Sequence, residues 1–129
     1  MDAHPAAMTR TLVNAHCATL PGAEVSDPWT SGSGGGGHDA WKIGGKMFAV
    51  VGVMDNGVSV KCPDIETAQL LIEMGHALRA PYFHRSWVRV PWGMVPDDEL
   101  YERLTTSYHL IRAGLPKKLQ ASFAQTRIR

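Results

Sequence analysis

The feature that most constrains this chain is the apolar run Met47-Phe48-Ala49-Val50-Val51-Gly52-Val53-Met54, held between two turn signals. Gly44-Gly45 precedes it and Asp55-Asn56-Gly57 follows it. Glycine reaches positive φ without the clash that a Cβ brings, and Asn-Gly favours the same turns, so each signal predicts a tight hairpin. The run is far shorter than the roughly 20 residues of a membrane-spanning helix. Apolar at nearly every position, it reads as a strand buried on both faces, central in an antiparallel sheet. Residues 38–43 supply the strand before it. Val58, Val60 and Cys62 alternate with Ser59 and Lys61 in the strand after it, the pattern of one dry and one wet face.

Helical periodicity surrounds this meander. Over residues 9–20, Leu12, Val13, Ala15, His16 and Leu20 fit one helix face, and Pro21-Gly22 ends it. Residues 23–29 predict a short edge strand limited by Pro28. Residues 32–37 are five glycines and a serine, a flexible loop or an engineered linker. No Lys-Ser/Thr closes that run, so it is not a phosphate-binding P-loop. Pro63-Asp64 opens a second helix, with Asp64 as its cap, Ile65, Ala68, Leu71 and Ile72 on one side, and Gly75 as its stop. Residues 79–91 read as extended, around Trp87, Val88 and Val90. Asp97, Asp98 and Glu99 suit the start of a third helix, whose stripe is Leu100, Leu104, Tyr108, Ile111 and Leu115. Residues 1–8 and 120–129 read as a loose leader and tail, and residue 116 onward as at most a helical turn. The expectation is one α+β domain over residues 1–129. It has two layers, an antiparallel sheet and three helices on one face, in the order helix, three or four strands, helix, one or two strands, helix.

Charge and reactive groups exclude more than they assign. Thirteen Lys and Arg against twelve Asp and Glu leave a net charge of +1, so no global field attracts a polyanion. Two cysteines are too few for a secreted disulfide scaffold, and no secretory signal precedes the first helix, so a cytoplasmic protein with buried thiols is expected. His38, Asp39, His76 and His84 lack metal-ligand spacing, so no metal or cofactor is expected. His16 and Cys17 are adjacent, about 100° apart on a helix, and do not form a nucleophile–base pair. The chain is read as non-enzymatic.

Several of these stretches together resemble the MmcQ/YjbR family. His16-Cys17-Ala18-Thr19-Leu20-Pro21-Gly22-Ala23 is similar to its Cys-x-x-Leu-Pro-Gly-Ala helix end, and Asp27-Pro28-Trp29 to its proline–tryptophan strand. Residues 41–49 resemble its most distinctive segment. Val58-Ser59-Val60-Lys61-Cys62, His84-Arg85-Ser86-Trp87-Val88, Ser107-Tyr108-His109-Leu110-Ile111 and Leu115-Pro116-Lys117-Lys118 fit later parts. Roughly residues 9–119 are covered, and the glycine run is longer than the family's loop there. The resemblance implies a frataxin-like or secretion-chaperone-like fold. It also implies a DNA-binding role through a "double wing" of hairpins, an assignment that rests largely on shape.

The residues themselves leave two ligand classes open. Lys42, Lys46, Lys61, His84, Arg85 and Arg89 are the expected phosphate contacts for duplex DNA, on a basic hairpin or sheet surface. Arg85, Trp87 and Arg89 alternate, so one strand face offers either cations beside a stacking ring or a core tryptophan with arginines lying over it. The alternative is a protein-interaction module that exposes an apolar sheet face or groove, with Trp41, Tyr82 or Trp92 in it. A third reading places a small-molecule pocket near His38 and Trp29.

Overall fold

The computed structural model describes residues 9–27 and 37–125. Pro28, Trp29 and residues 32–36 of the glycine run lie outside them, and with them the pocket expected beside Trp29. Among the described residues the elements are α1 (Arg10–Ala18), β1 (Glu24–Ser26), β2 (Asp39–Ile43), β3 (Lys46–Val51), β4 (Gly57–Lys61), α2 (Ile65–Glu73), β5 (Leu78–Arg79), β6 (Trp87–Pro91), α3 (Asp97–Ala113) and α4 (Lys117–Gln125). The six strands form one antiparallel sheet in the order β1-β2-β3-β4-β6-β5. The apolar run supplies β3, inside the sheet as its composition requires.

Strand alternation sorts the side chains onto two faces. Trp41, Ala49, Val51, Val58, Val60, Val88 and Val90 turn toward the helices and are buried with Val13 and Cys17 of α1, Ala68 of α2, and Leu100, Leu104 and Tyr108 of α3. Fully burying each valine contributes about 1.5–3 kcal/mol, so this face holds the fold together. Lys42, Val50, Ser59, Lys61, Trp87 and Arg89 alternate with them and occupy the opposite, outer face.

One irregularity ties α3 to the sheet. Trp41 pairs with Ala49, but Lys42 pairs with Met47, so Phe48 is an extra residue, a bulge in β3. Phe48 turns inward with Ala49, and its ring meets Tyr108 edge-on at 5.4 Å. The bulge frees backbone groups, and the buried Ser107 hydroxyl takes them up. It donates to the Phe48 carbonyl at 2.6 Å and accepts from the Lys61 N–H at 2.8 Å. A single hydroxyl thus replaces a missing rung between β3 and β4.

The helix ends follow their caps. Thr9 accepts from the Leu12 N–H, and Asp64 accepts from the Thr67 N–H at 2.7 Å. Hydrogen bonds from the Thr67 backbone and side chain hold the Asp64 carboxyl below its ordinary range. Three helices were expected, but residues 117–125 form a fourth. Its apolar stripe is only Leu119 and Phe123, one turn apart, too little to announce a helix in sequence. Phe123 covers Gly22, where an added Cβ would lie 2.4 Å from its Cδ1. Leu115 and Leu119 close on Gly44 in the same way, with an added Cβ 2.7 Å from Leu115 Cδ1.

Two segments expected to be extended are turns. β3 stops at Val51, and the Asp55 N–H donates to the Gly52 carbonyl at 3.0 Å, so Val53 and Met54 form the hairpin apex. The positive φ of that hairpin falls on Asp55 at 54°, not on Asn56-Gly57. Gly57 is needed for another reason: a Cβ there would lie 2.7 Å from the Val90 carbonyl of β6. Between β5 and β6, Phe83 N–H donates to Ala80 O at 3.1 Å and Trp87 N–H to His84 O at 2.8 Å, making two successive turns. Proline suits the second position of the first turn, where Pro81 sits.

Candidate functional site

The first of those turns borders a groove of about 790 Å³ on the outer face of the sheet. Met47, Val50 and Ser59 come from its strands, the hairpin turn brings Val53, Met54 and Asn56, and the 80–83 turn brings Tyr82 and Phe83. His38 and Arg89 also line it, and no lining residue is a carboxylate. Both walls are fastened. The Trp92 indole N–H donates to the Asp55 carbonyl at 2.8 Å, and its backbone N–H donates to Asn56 O at 3.0 Å. On the other side the Phe83 ring stacks on Trp87, centroids 4.6 Å apart and planes 18° from parallel. Trp87 is therefore buried, yet on the outer face rather than in the core. Neither of the two packings open to the sequence anticipated a ring from its own loop as the cover.

The expected cations divide. Lys42, Lys61 and Arg89 project from β2, β4 and β6 on the outer face. Adjacent strands are about 4.8 Å apart, so Lys42 and Lys61 stand roughly 10 Å apart across β3. Lys42 faces Glu24 across the β1–β2 pair, which partly offsets its charge. Arg89 Nη1 donates to Asn56 Oδ1 at 3.3 Å. His84 and Arg85 are exposed but precede β6, in the second turn, so Arg85 does not share a strand face with Trp87 and Arg89. Lys61 Nζ donates to Ser86 Oγ at 2.8 Å, and Ser86 Oγ lies 2.9 Å from His84 Nδ1. The Ser86 N–H also reaches that nitrogen at 3.1 Å. An ammonium only donates, so the Ser86 proton points to His84 Nδ1, and a neutral His84 presents its Nε2–H outward. Lys46 is the exception. It pairs with Ile43, one position beyond Met47, and so belongs to the opposite side of the hairpin from Lys42.

The Gly-Gly turn itself is not a free tip. Gly44 and Gly45 take φ of 58° and 83°, as the sequence implies, but Gly44 is seated against Leu115 and Leu119. Of the three aromatics expected on an apolar surface, only Tyr82 belongs there. Trp41 is buried on the helix face, with its Nε1 donating to Asn14 Oδ1 at 2.8 Å, and Trp92 serves as the clamp described above. Sequence reasoning missed Val53 and Met54 as surface residues, since it extended β3 through them. The available signal was length: eight apolar residues exceed what a strand bounded by Gly52 needs.

Reactive groups elsewhere serve the fold. Burial pushes the Cys17 thiol up to about 12 and also raises Cys62. His16 Nε2 lies 2.9 Å from Thr105 Oγ1, directed at α3 rather than at Cys17, and burial lowers its pKa. Asp39 is opposed by burial, but hydrogen bonds from Asn14 and Arg10, with the Arg10 charge, leave its carboxyl below the ordinary range. Arg10 also donates to the Gly37 carbonyl. His76 pairs with Glu99 at 2.8 Å, whereas His38 lies beside Asp27 and His84 beside Ser86. Among the described residues no three His, Cys, Asp or Glu side chains are placed to hold a metal ion, and no helix is long and apolar enough to cross a membrane.

Comparison with known proteins agrees with this architecture. The crystal structure of Deinococcus radiodurans protein DR2400, with a DUF419 domain, superposes with a TM-score of 0.77 at 22% identity, covering 90% of this chain and 88% of that one. This likeness concerns the fold. No curated protein matches the chain. The YjbR family profile matches residues 18–110, from the end of α1 through most of α3, and the chain belongs to the YjbR family.

Proposed function

We propose that this chain is a non-catalytic nucleic-acid-binding domain that presents the outer face of its sheet. The observation that carries this reading is the common placement of Lys42, Lys61 and Arg89 on that face, with Arg85 and His84 in the turn beside it. Cations at strand spacing match a phosphate chain laid across the strands. Lys46 is left out of this contact set because of its register. Duplex DNA is the first ligand to test. With about three phosphates neutralised, the logarithm of the binding constant should fall with the logarithm of salt at a slope of about −2 to −3. Titration of labelled duplex at two salt concentrations measures it. Absence of binding even at low ionic strength removes duplex DNA as the ligand.

A second reading has its own support. The groove is lined mainly by apolar side chains, and Val53 and Met54 are 58% and 76% exposed at its wall. Contiguous exposed apolar surface of this kind marks protein-interaction sites, and methionine adapts to varied partners. Under this reading the cations form a rim that selects acidic flanks in the partner.

A further inference from the structure

We propose that the outer groove takes unpaired bases, so that the preferred ligand is a single-stranded nucleic acid; this rests on the nucleic-acid reading above and narrows it. Tyr82 points to it first. Its position in the 80–83 turn leaves it 94% exposed, so its ring does no packing for the fold, yet it lines the groove. Behind it the Phe83–Trp87 stack, anchored by the buried indole, makes the wall rigid. Met47 and Val50 give an apolar floor.

Such a site does not suit a duplex. The outside of a duplex is phosphate and sugar, and its base faces are hidden in the stack. An unpaired base offers a free π-face, which aromatic and apolar side chains receive without regard to sequence. Charge complementarity selects a nucleic acid over an apolar peptide. The groove contains Arg89 and no carboxylate, with Lys42 and Lys61 rising from the same face. A strand lying across β2 to β6 would set a base against Tyr82 and its phosphates near those cations. The Nε2–H of His84 and the Arg85 guanidinium supply further donors at the margin. Binding to single strands would therefore combine salt dependence with a part that salt does not screen.

Fluorescence anisotropy of a labelled twenty-nucleotide oligo-dT and of a mixed-sequence duplex of equal length tests this, with the intact chain at two salt concentrations. The single strand should bind at least tenfold more tightly than the duplex. Tyr82→Ala should weaken it tenfold or more, and Tyr82→Phe, which keeps the ring, should retain binding. The melting temperature checks that both variants fold; an exposed side chain gives no reason for them not to. Equal or tighter duplex binding that is indifferent to Tyr82→Ala overturns the base-binding groove and leaves the nucleic-acid reading standing. No binding of either oligonucleotide at low salt overturns both and leaves the groove to a protein partner.

Discussion

The two faces of one sheet are specified by different demands. Toward the helices, the buried residues have a structural reason: the valines of β4 and β6 fill the core, Phe48 bulges inward, and Ser107 repairs the ladder that the bulge opens. Toward the outside, Tyr82, Met54 and Val53 are left in solvent, although polar residues would serve folding there equally well. Where folding explains a residue, function need not be invoked. Leu70 and Met74 are exposed at α2 as well, but Tyr82, Met54 and Val53 are the exposed apolar residues that line the groove.

The comparison breaks most sharply at Ser107. Ser107→Ala leaves the buried Phe48 carbonyl and the part-buried Lys61 N–H without this partner, at about 1–3 kcal/mol for each, so the expected loss is about 2–6 kcal/mol in urea unfolding. A loss below about 0.5 kcal/mol would refute the bridging role. Next come the two turn glycines. Both have positive φ, which asparagine tolerates, but only Gly44 is packed against leucines. Gly44→Asn should therefore cost about 1–3 kcal/mol of overpacking beyond Gly45→Asn, read from paired melting curves. Equal costs would mean that the tip is free after all.

Acid provides a gentler probe of the helix-covered side. Burial makes His16 bind its proton less tightly in the folded chain than in the unfolded chain, whose value is near 6.5. The unfolded state gains protons first, so stability should decline as pH drops through 6.5. Asp39, held low, adds a further loss only below about pH 4, as its carboxylate takes up a proton. Urea midpoints at pH 7.5 and 5.5 should differ less in His16→Gln than in the native chain; an unchanged difference assigns the slope elsewhere. The smallest effect belongs to the outer face. Tyr82→Ala should alter stability by no more than about 0.5 kcal/mol, and a larger drop would make Tyr82 a structural residue.

How far the sequence disclosed this division depends on the residues concerned. The apolar run located the central strand, and the alternation from Val58 to Cys62 assigned the core-facing side correctly, but Ser59 on the side expected to be wet is buried as well, in the groove on the outer face. The hairpin after β3 was displaced by the Asn-Gly pair, since Gly57 is demanded by a neighbouring strand, a long-range approach that no local rule reports. α4 went unseen because its two apolar residues acquire meaning only from Gly22 and Gly44, remote in sequence. Lys61 was legible as an outward residue from strand alternation, whereas the face of Arg89 was left open with that of Trp87. Arg85 was misplaced, because the second turn, closed by the Trp87 N–H on the His84 carbonyl, takes it out of the strand. The groove could not be foreseen, since its walls are loops that meet only after the sheet is assembled.

The stack of Phe83 on Trp87 has one more consequence. Phe83 lines the groove with one side of its surroundings and covers an indole with the other. Any occupant that shifts the phenyl ring changes the polarity around that tryptophan. The protein thus carries an unlabelled optical gauge, and its intrinsic emission spectrum should register whether the groove is filled.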